Sequence, residues 1–263
     1  GYQSSSFYFS FLGEAYRPRE FEVTVHAGDP RKPNIGEQAL NFKVKAQYLH
    51  GGLMTNAPLK YRVDAYPYTF TSNNPKLKGF TFSNEKWLET SGTSRFLDKS
   101  NHAMILANQK GRINKKGAFE ANIPTKIPFY TSAKYKVSVE VEDRNNQSVV
   151  SSSSTIVHKG EFYIGYKMKK YFVSQDEPLE LKLVCVSPES EGVDMVPVDI
   201  KIYRVEHSNV RHQSIDGTFR WNTERKYVLF DERYTRVSSY LDDPKELKLR
   251  MRKPGTYIIT FKA

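Results

Sequence analysis

The side chains that could carry acid–base, nucleophilic or metal chemistry are scattered along this 263-residue sequence. Adjacent carboxylates occur at Asp231-Glu232 and at Asp242-Asp243, but successive residues of a strand point to opposite faces and would not converge on one ion. The sequence contains no Gly-x-Ser-x-Gly turn and no glycine-rich phosphate loop. None of the histidines has the i, i+4 spacing of a helical zinc protease or a neighbouring carboxylate pair; they are His26, His50, His102, His158, His207 and His212. The sequence therefore predicts a protein that is not an enzyme and has no catalytic residue, metal or cofactor.

The single cysteine, Cys185, rules out an intrachain disulfide and a cysteine-based zinc cluster. It follows Leu179, Leu181 and Leu183 at the same period of two, which predicts that its side chain points inward. A free cysteine in that position acts as a small apolar side chain. The alternative is a reactive thiol, but no histidine or lysine lies beside Cys185 in the sequence to lower its pKa.

The formal net charge of +11 raises the question of a nucleic-acid partner. Such a protein gathers lysine and arginine on one face and adds aromatic side chains that stack on bases. Here many basic residues alternate with apolar ones, as at Lys43, Lys45, Lys134 and Lys136, so we interpret them as the solvated faces of strands. We expect no nucleic-acid partner.

Hydropathy also bears on membranes and targeting. No stretch approaches the roughly 20 apolar residues that a membrane-spanning helix requires, and no signal peptide opens the sequence. Because an apolar strand begins almost directly after Gly1, we expect the sequence to be a fragment excised from a longer protein.

Apolar residues alternate strictly with polar ones in many short segments, which predicts strands with one face on a core and the other in water. The high content of aromatic residues, 13% of the chain, fits such half-buried strands. The fold class is therefore all-β, with tandem antiparallel sandwich domains of the fibronectin or immunoglobulin kind. The alternating positions are Phe42, Val44, Ala46 and Tyr48; Leu59, Tyr61, Val63 and Ala65; Tyr135, Val137, Val139 and Val141; Val196, Val198, Ile200 and Ile202; Leu247, Leu249 and Met251; and Tyr257, Ile259 and Phe261.

An internal repeat predicts two copies of one sandwich plan. Residues 39–63 read as a strand, a turn and a second strand that ends in Lys-Tyr-Arg-Val, and residues 178–205 repeat this order and end in Ile-Tyr-Arg-Val. In each copy a later strand follows a turn, near residues 132–135 and 254–257. We predict a closing strand and linker of a preceding domain at 1–18, a first sandwich at 19–157 with a long insertion at 73–116, and a second sandwich at 158–263.

Two polar segments, 73–116 and 207–225, lack the regular alternation of apolar and polar residues that indicates strands. Long insertions in compact domains are usually functional or mobile, and exposed loops with basic and aromatic residues are good protease substrates. The candidate protease-sensitive residues are Lys110 and Arg112 in the first segment, and Arg211 and Arg220 in the second. The alternative for both segments is an ordered hairpin with no special sensitivity to cleavage.

Several motifs occur together in one order. Residues 16–23 (YRPREFEV) resemble the junction that opens a macroglobulin-like domain in bacterial α2-macroglobulins, and residues 46–52 (AQYLHGG) resemble the strand and turn that follow it, with leucine where proline is common. Residues 149–158 and 162–165 are similar to the family's crossing into the domain associated with the bait region. Residues 196–206 resemble the strand pair inside that domain. The resemblance covers nearly the whole chain.

This resemblance implies a non-catalytic piece of a large extracytoplasmic bacterial protein that inhibits proteases by trapping them. In that family a protease cuts an exposed bait segment and the body then collapses around it, so the implied partners are proteases and the adjacent macroglobulin-like domains. Many members also carry a Cys-x-Glu-Gln thioester, but Val186 follows Cys185 here and the motif is absent. A thioester domain is then expected downstream in the intact protein, or this member lacks one.

A second function class stays open on the sequence alone. A sandwich module on the cell surface could bind carbohydrate or act as an adhesin, with Trp87 or Trp221 stacking on sugar rings. A purely architectural spacer is a third option that no sequence feature excludes.

Overall fold

The computed structural model describes residues 19–29, 31–36, 39–82, 103–125, 127, 131–175, 177–213 and 219–263. Within these ranges the chain forms β-strands, one 3₁₀ turn at Pro75–Leu77 and no α-helix. The strands are β1 (Phe21–Ala27), β2 (Asn34–Ile35), β3 (Leu40–Tyr48), β4 (Pro58–Tyr68), β5 (Met104–Arg112), β6 (Ala118–Ile123), β7 (Ser132–Glu142), β8 (Ser148–His158), β9 (Tyr163–Met168), β10 (Pro178–Val186), β11 (Val196–Gln213), β12 (Phe219–Val237), β13 (Lys245–Arg250) and β14 (Thr256–Lys262).

The first eight strands form the N-terminal sandwich, which is made of two sheets with the orders β1-β3-β6 and β2-β8-β7-β4-β5. Every pair is antiparallel except the short parallel contact between β2 and β8. Side chains from β1, β3, β4, β7 and β8 meet in one buried apolar cluster, and Phe42, Val63 and Tyr135 are fully enclosed in it.

The last six strands form the C-terminal sandwich, with antiparallel sheets in the orders β13-β10-β9 and β12-β11-β14. A separate apolar cluster fills it, and Leu183, Val198, Ile200 and Leu249 are among its fully buried members. The two sandwiches therefore have their own cores.

The repeat predicted from the sequence recurs in the pairing of the strands. In the N-terminal sandwich β3 lies between β1 and β6, while β4 lies between β5 and β7; in the C-terminal sandwich β10 lies between β9 and β13, while β11 lies between β12 and β14. The counterparts follow the same chain order, from β1 and β9 to β7 and β14. Two strands of the N-terminal sandwich, β8 and the short β2 that pairs with it, have no counterpart among the described residues.

The alternation rule correctly identified the buried faces. Phe42, Val44 and Ala46 of β3 are at most 1% exposed, whereas Lys43 and Lys45 between them are exposed. A strict period of two is enough here because each sheet has one apolar face and one wet face. The fold class predicted from the sequence, all-β with tandem antiparallel sandwiches, is confirmed.

The segment 73–116 contains more regular structure than its polarity indicated. Its later part forms β5, which pairs with β4 along the edge of the five-stranded sheet. The sequence does not alternate there because most of β5 is exposed at that edge. The predicted closing strand within 1–18 lies outside the described residues.

Candidate functional site: the junction of the two sandwiches

A segment that follows β4 lies across the C-terminal sandwich; we call residues 70–82 the crossing segment. Near its end, Thr81 forms an antiparallel bridge with Tyr166 of β9. Thr81 N donates to Tyr166 O at 2.8 Å, and Tyr166 N donates to Thr81 O at 3.0 Å. The main chain of the N-terminal half therefore extends the edge of a sheet in the C-terminal half.

Apolar side chains of the crossing segment form a third buried cluster with β9 and β10. Phe70, Leu77 and Phe82 come from the crossing segment, and they pack against Tyr163 and against valines of β10. The rings of Phe70 and Tyr163 are stacked, with centroids 4.1 Å apart and an interplanar angle of 10°. This junction cluster contains residues from both halves of the chain. The hydrophobic effect therefore opposes the separation of the two halves.

The backbone at Gly165 comes unusually close to the crossing segment. A Cβ atom built on this glycine would lie 2.4 Å from Phe82 Cε1, well inside van der Waals contact. Only glycine leaves room for the Phe82 ring over β9.

Polar contacts surround the junction cluster. Asn74 Nδ2 donates to Ser190 O at 3.2 Å, and Lys167 Nζ donates to Lys78 O at 3.0 Å. Lys76 also pairs with Asp242. Both of these side chains are more than half exposed, so the ion pair helps to orient the crossing segment more than it stabilises the junction.

A buried hydrogen-bonded chain lies behind the junction cluster. Tyr163 Oη is 2.6 Å from Ser132 Oγ and 2.7 Å from His158 Nδ1. Lys159 N donates to Ser132 Oγ at 3.1 Å. Ser132 opens β7 and His158 closes β8 of the N-terminal sandwich, whereas Tyr163 opens β9 of the other. The Tyr163 hydroxyl group of the C-terminal sandwich is thus linked to two residues of the N-terminal sandwich, Ser132 and His158.

Burial keeps these groups uncharged. It lowers the pKa of His158, against a smaller opposing effect of Glu189, and it raises the pKa of Tyr163 to about 12. The phenol separates the serine from the histidine, so the serine lacks the adjacent general base that activates a nucleophile. This hydrogen-bonded arrangement suits a structural connection between the two sandwiches and does not suit catalysis.

The four candidate protease-sensitive residues all lie in paired strands. Lys110 and Arg112 belong to β5, opposite Lys60 and Pro58 of β4. Arg211 of β11 is opposite Trp221, and Arg220 of β12 is opposite His212. The structure does not bring the two pairs of residues together. Their cleavage by proteases stays a prediction.

Cys185 lies where the sequence placed it, inside the C-terminal sandwich and fully buried. Burial raises the pKa of its thiol to about 12, so it stays protonated and unreactive at neutral pH. Among the described residues no three His, Cys, Asp or Glu side chains come together as metal ligands. No helix in the same ranges is long and apolar enough to cross a membrane.

Trp87, the first of the two candidate sugar-stacking residues, lies outside the described residues. The second, Trp221, lies on β12.

Comparison with solved structures shows which class of protein the chain resembles. The chain is similar in fold to bacterial α2-macroglobulins. Over 95% of its length it superimposes on the native Escherichia coli α2-macroglobulin with a TM-score of 0.59 and 13% identity, and on the Salmonella protein reacted with methylamine with a TM-score of 0.57 and 13% identity. It covers 16% of each of those chains. At this identity the likeness shows a common fold.

A curated protein supports the same resemblance in sequence. An α2-macroglobulin homolog from Nostoc sp. strain PCC 7120 is 21% identical over 245 residues, which are 93% of this chain and 12% of the relative. No protein-family model matches the chain. The resemblance to α2-macroglobulins indicated by the motifs is thereby confirmed, and the chain spans about an eighth of the length of that relative.

Sequence reasoning missed the junction. The signal was present as four apolar residues in an otherwise polar stretch: Phe70, Leu77, Phe80 and Phe82. Their spacing fits neither a strand nor a helix, because the crossing segment has an irregular path. Only the fold shows what they contact.

Proposed function

We propose that this chain is a non-catalytic scaffold portion of an extracytoplasmic bacterial protein of the α2-macroglobulin type, which inhibits proteases by trapping them. The observation that carries the proposal is the similarity in fold to solved bacterial α2-macroglobulins over 94–95% of the chain. One of these structures is the Escherichia coli protein activated by porcine elastase. Its partners would then be proteases and the adjacent macroglobulin-like domains.

The junction suits a scaffold role. A protein that changes shape after proteolysis must transmit a rearrangement through rigid pieces, and packed cores transmit strain because they hardly compress. Here the junction cluster and the chain of hydrogen bonds through Tyr163 join two such pieces. We propose domain limits of 19–157 and 158–263, with 1–18 contributed to a preceding domain. In support, the two main cores draw on residues 21–157 and 181–251 respectively.

For protease sensitivity we favour Arg211 and Arg220 over Lys110 and Arg112. Strand β14 pairs with β11 only from Asp199 to Val205, and beyond that point β12 is the partner of β11 within the part of the chain that the structure describes. The outer part of this hairpin is thus a two-stranded ribbon, which is at best marginally stable by itself. By contrast, β5 is held in place at Gly111, where a Cβ would lie 2.6 Å from Phe119.

The proposed function is tested on the intact natural protein. We would treat it with a limiting amount of trypsin or elastase, and follow its shape by native gel electrophoresis and size-exclusion chromatography. Cleavage at one region, a change to a more compact form and retention of the protease in the same peak are expected. Cleavage at many sites, with no compaction and no retained protease, would overturn the proposal.

A further inference from the structure

The buried hydrogen-bonded chain between the two sandwiches has a defined direction. Lys159 N donates to Ser132 Oγ, and the Ser132 hydroxyl group still needs an acceptor for its own hydrogen. Among the described residues Tyr163 Oη is its other partner, at 2.6 Å. The Tyr163 hydroxyl group in turn donates to His158 Nδ1, at 2.7 Å. In this direction every hydroxyl hydrogen of the chain has an acceptor, as buried polar groups normally do.

This direction determines which nitrogen of the His158 ring carries the hydrogen. Nδ1 accepts from Tyr163, so the neutral ring has its hydrogen on Nε2. An additional proton can therefore bind only at Nδ1, where it would meet the hydroxyl hydrogen of Tyr163. The hydrogen bond that links the two sandwiches thus occupies the one site at which the imidazole titrates.

Other ionisable groups near the chain have smaller effects. Burial is the largest influence on the pKa of His158 and lowers it, whereas Glu189, in the turn between β10 and β11, raises it by less. Glu189 is exposed, so solvent and salt screen its charge. Burial is also the largest influence on the pKa of Tyr163, and Tyr68 of β4 adds a smaller increase. Lys159 is exposed, and the two residues of β2 that pair with the end of β8 do not titrate.

We propose that the junction is a pH-sensitive switch, in which protonation of His158 at Nδ1 breaks the hydrogen bond from Tyr163 and loosens the contact between the two sandwiches. With a hydrogen on Nδ1, the Tyr163 oxygen must accept from the ring and turn its own hydrogen towards Ser132. Ser132 then accepts from both Tyr163 and Lys159 N, and its hydroxyl hydrogen is buried without an acceptor. Such an unsatisfied group destabilises the closed junction.

The direction of the pH dependence follows from the proton affinities of the two states. The closed junction binds a proton at His158 more weakly than an open junction does, because opening brings the ring into water. The closed form is therefore fully stable above the ordinary histidine pKa of 6.5. As the pH decreases below that value, the ratio of open to closed molecules rises by up to about tenfold per pH unit. The rise ends at the lower pKa that His158 has in the closed junction.

Nitrogen-15 NMR of the histidine ring tests the direction of the chain. At neutral pH we expect an unprotonated Nδ1 and a hydrogen on Nε2 at His158. Tyr163→Phe keeps the ring that stacks on Phe70 but removes the hydroxyl donor, so it should raise the pKa of His158. Glu189→Gln should lower that pKa, because a nearby negative charge is lost. A hydrogen on Nδ1 at neutral pH, or a pKa that does not rise in Tyr163→Phe, would overturn the proposal.

Amide hydrogen exchange tests the loosening. The amides of Thr81 and Tyr166 donate to each other's carbonyl groups across the junction, and the amides of Val137 and Val139 within the N-terminal sandwich are the reference. After correction for the intrinsic effect of pH on exchange, we expect Thr81 and Tyr166 to be less protected than the reference. They should lose protection by up to about tenfold per pH unit below the ordinary histidine pKa, and His158→Asn should abolish this loss.

Two results of the exchange experiment would contradict the switch. Protection of Thr81 and Tyr166 that does not change with pH would show that the junction ignores His158. Equal protection of the junction and reference amides at every pH would show that the junction opens only when the whole chain unfolds. Neither result depends on protease trapping.

Discussion

At the scale of single residues, Tyr163 connects the two sandwiches through both its ring and its hydroxyl group. Its ring stacks on Phe70 of the crossing segment, and its hydroxyl group lies within hydrogen-bond distance of Ser132 and His158. A phenol can make both kinds of contact because one end is apolar and the other is polar. The sequence showed Tyr163 only as part of a family motif, and it gave no indication of these partners.

The first prediction concerns pH. The folded chain holds the pKa of His158 below its ordinary value of 6.5, so below about pH 6.5 the unfolded chain binds a proton that the folded chain does not. The free energy of unfolding should therefore fall as the pH decreases through this range, and level off below the pKa of the folded state. Urea unfolding between about pH 7.5 and 5.5, roughly one unit either side of the ordinary histidine pKa, measures this slope.

The variant for this prediction is His158→Asn, which keeps a polar atom near the position of Nδ1 but does not titrate. It should flatten the pH dependence. An equal slope in the wild type and in His158→Asn would contradict the assignment.

At the scale of elements, the strands follow from local sequence but their neighbours do not. The period of two identified β3, β4, β7, β11, β13 and β14, and in all of these except β14 it also identified the face that is buried. In β14 the residues from Tyr257 to Phe261 are all half-buried. The period of two missed β5, because an edge strand with two wet faces has no alternation to detect. It also missed the bridge between Thr81 and Tyr166, since an isolated pair of residues has no period.

The second prediction tests the contact between the crossing segment and β9. In Gly165→Ala the new methyl group would overlap the Phe82 ring, and the variant should lose about 1–3 kcal/mol of stability, the usual range for overpacking. Gly160→Ala is the matched control, because its Cβ would meet no atom closer than Phe162 O at 3.8 Å. Chemical denaturation of both variants gives the comparison. Equal stabilities would show that Phe82 moves aside freely.

The third prediction ranks the four basic residues by cleavage rate. Trypsin should cut after Arg211 or Arg220 well before it cuts after Lys110 or Arg112, because the outer ribbon of β11 and β12 opens without disturbing a core. Mass spectrometry of early time points provides the rates. The double variant Lys110→Gln/Arg112→Gln should leave the first cleavage unaffected, whereas Arg211→Gln/Arg220→Gln should slow it. Cleavage at all four sites at one rate would contradict the ranking.

At the scale of the whole molecule, the main feature is the coupling of two cores through a third. The junction cluster contains residues from the crossing segment, β9 and β10, and the hydrogen bonds of Tyr163 lie beside it. Contacts of this kind hold two bodies at a fixed angle, whereas a polar linker alone would allow them to move independently.

The fourth prediction removes part of that coupling. Phe70→Ala deletes the ring stacked on Tyr163 and should destabilise the junction by a few kcal/mol, roughly the range for a buried phenylalanine. Small-angle X-ray scattering should then show a broader spread of distances between the sandwiches. Phe42→Ala, inside the N-terminal core, should lower stability without broadening that spread. An unchanged profile for Phe70→Ala would mean that the hydrogen bonds suffice.

The sequence by itself determined the fold class, the internal repeat and the inward position of Cys185. These three features could be predicted because each depends on a local pattern. The alternation of apolar and polar residues within a short segment shows which side chains point to a core and which point to water. The family resemblance added the expected scaffold role and its protease partners.

Only the tertiary structure decided which surfaces meet. The junction around Tyr163 and the close approach of Phe82 to Gly165 both bring together residues from separate parts of the chain. No local pattern encodes them, because such contacts form only when elements that are far apart in the sequence are placed next to each other by the fold. The same reason explains why the candidate cleavage residues Lys110, Arg112, Arg211 and Arg220 could be named from composition, while their positions in paired strands could not.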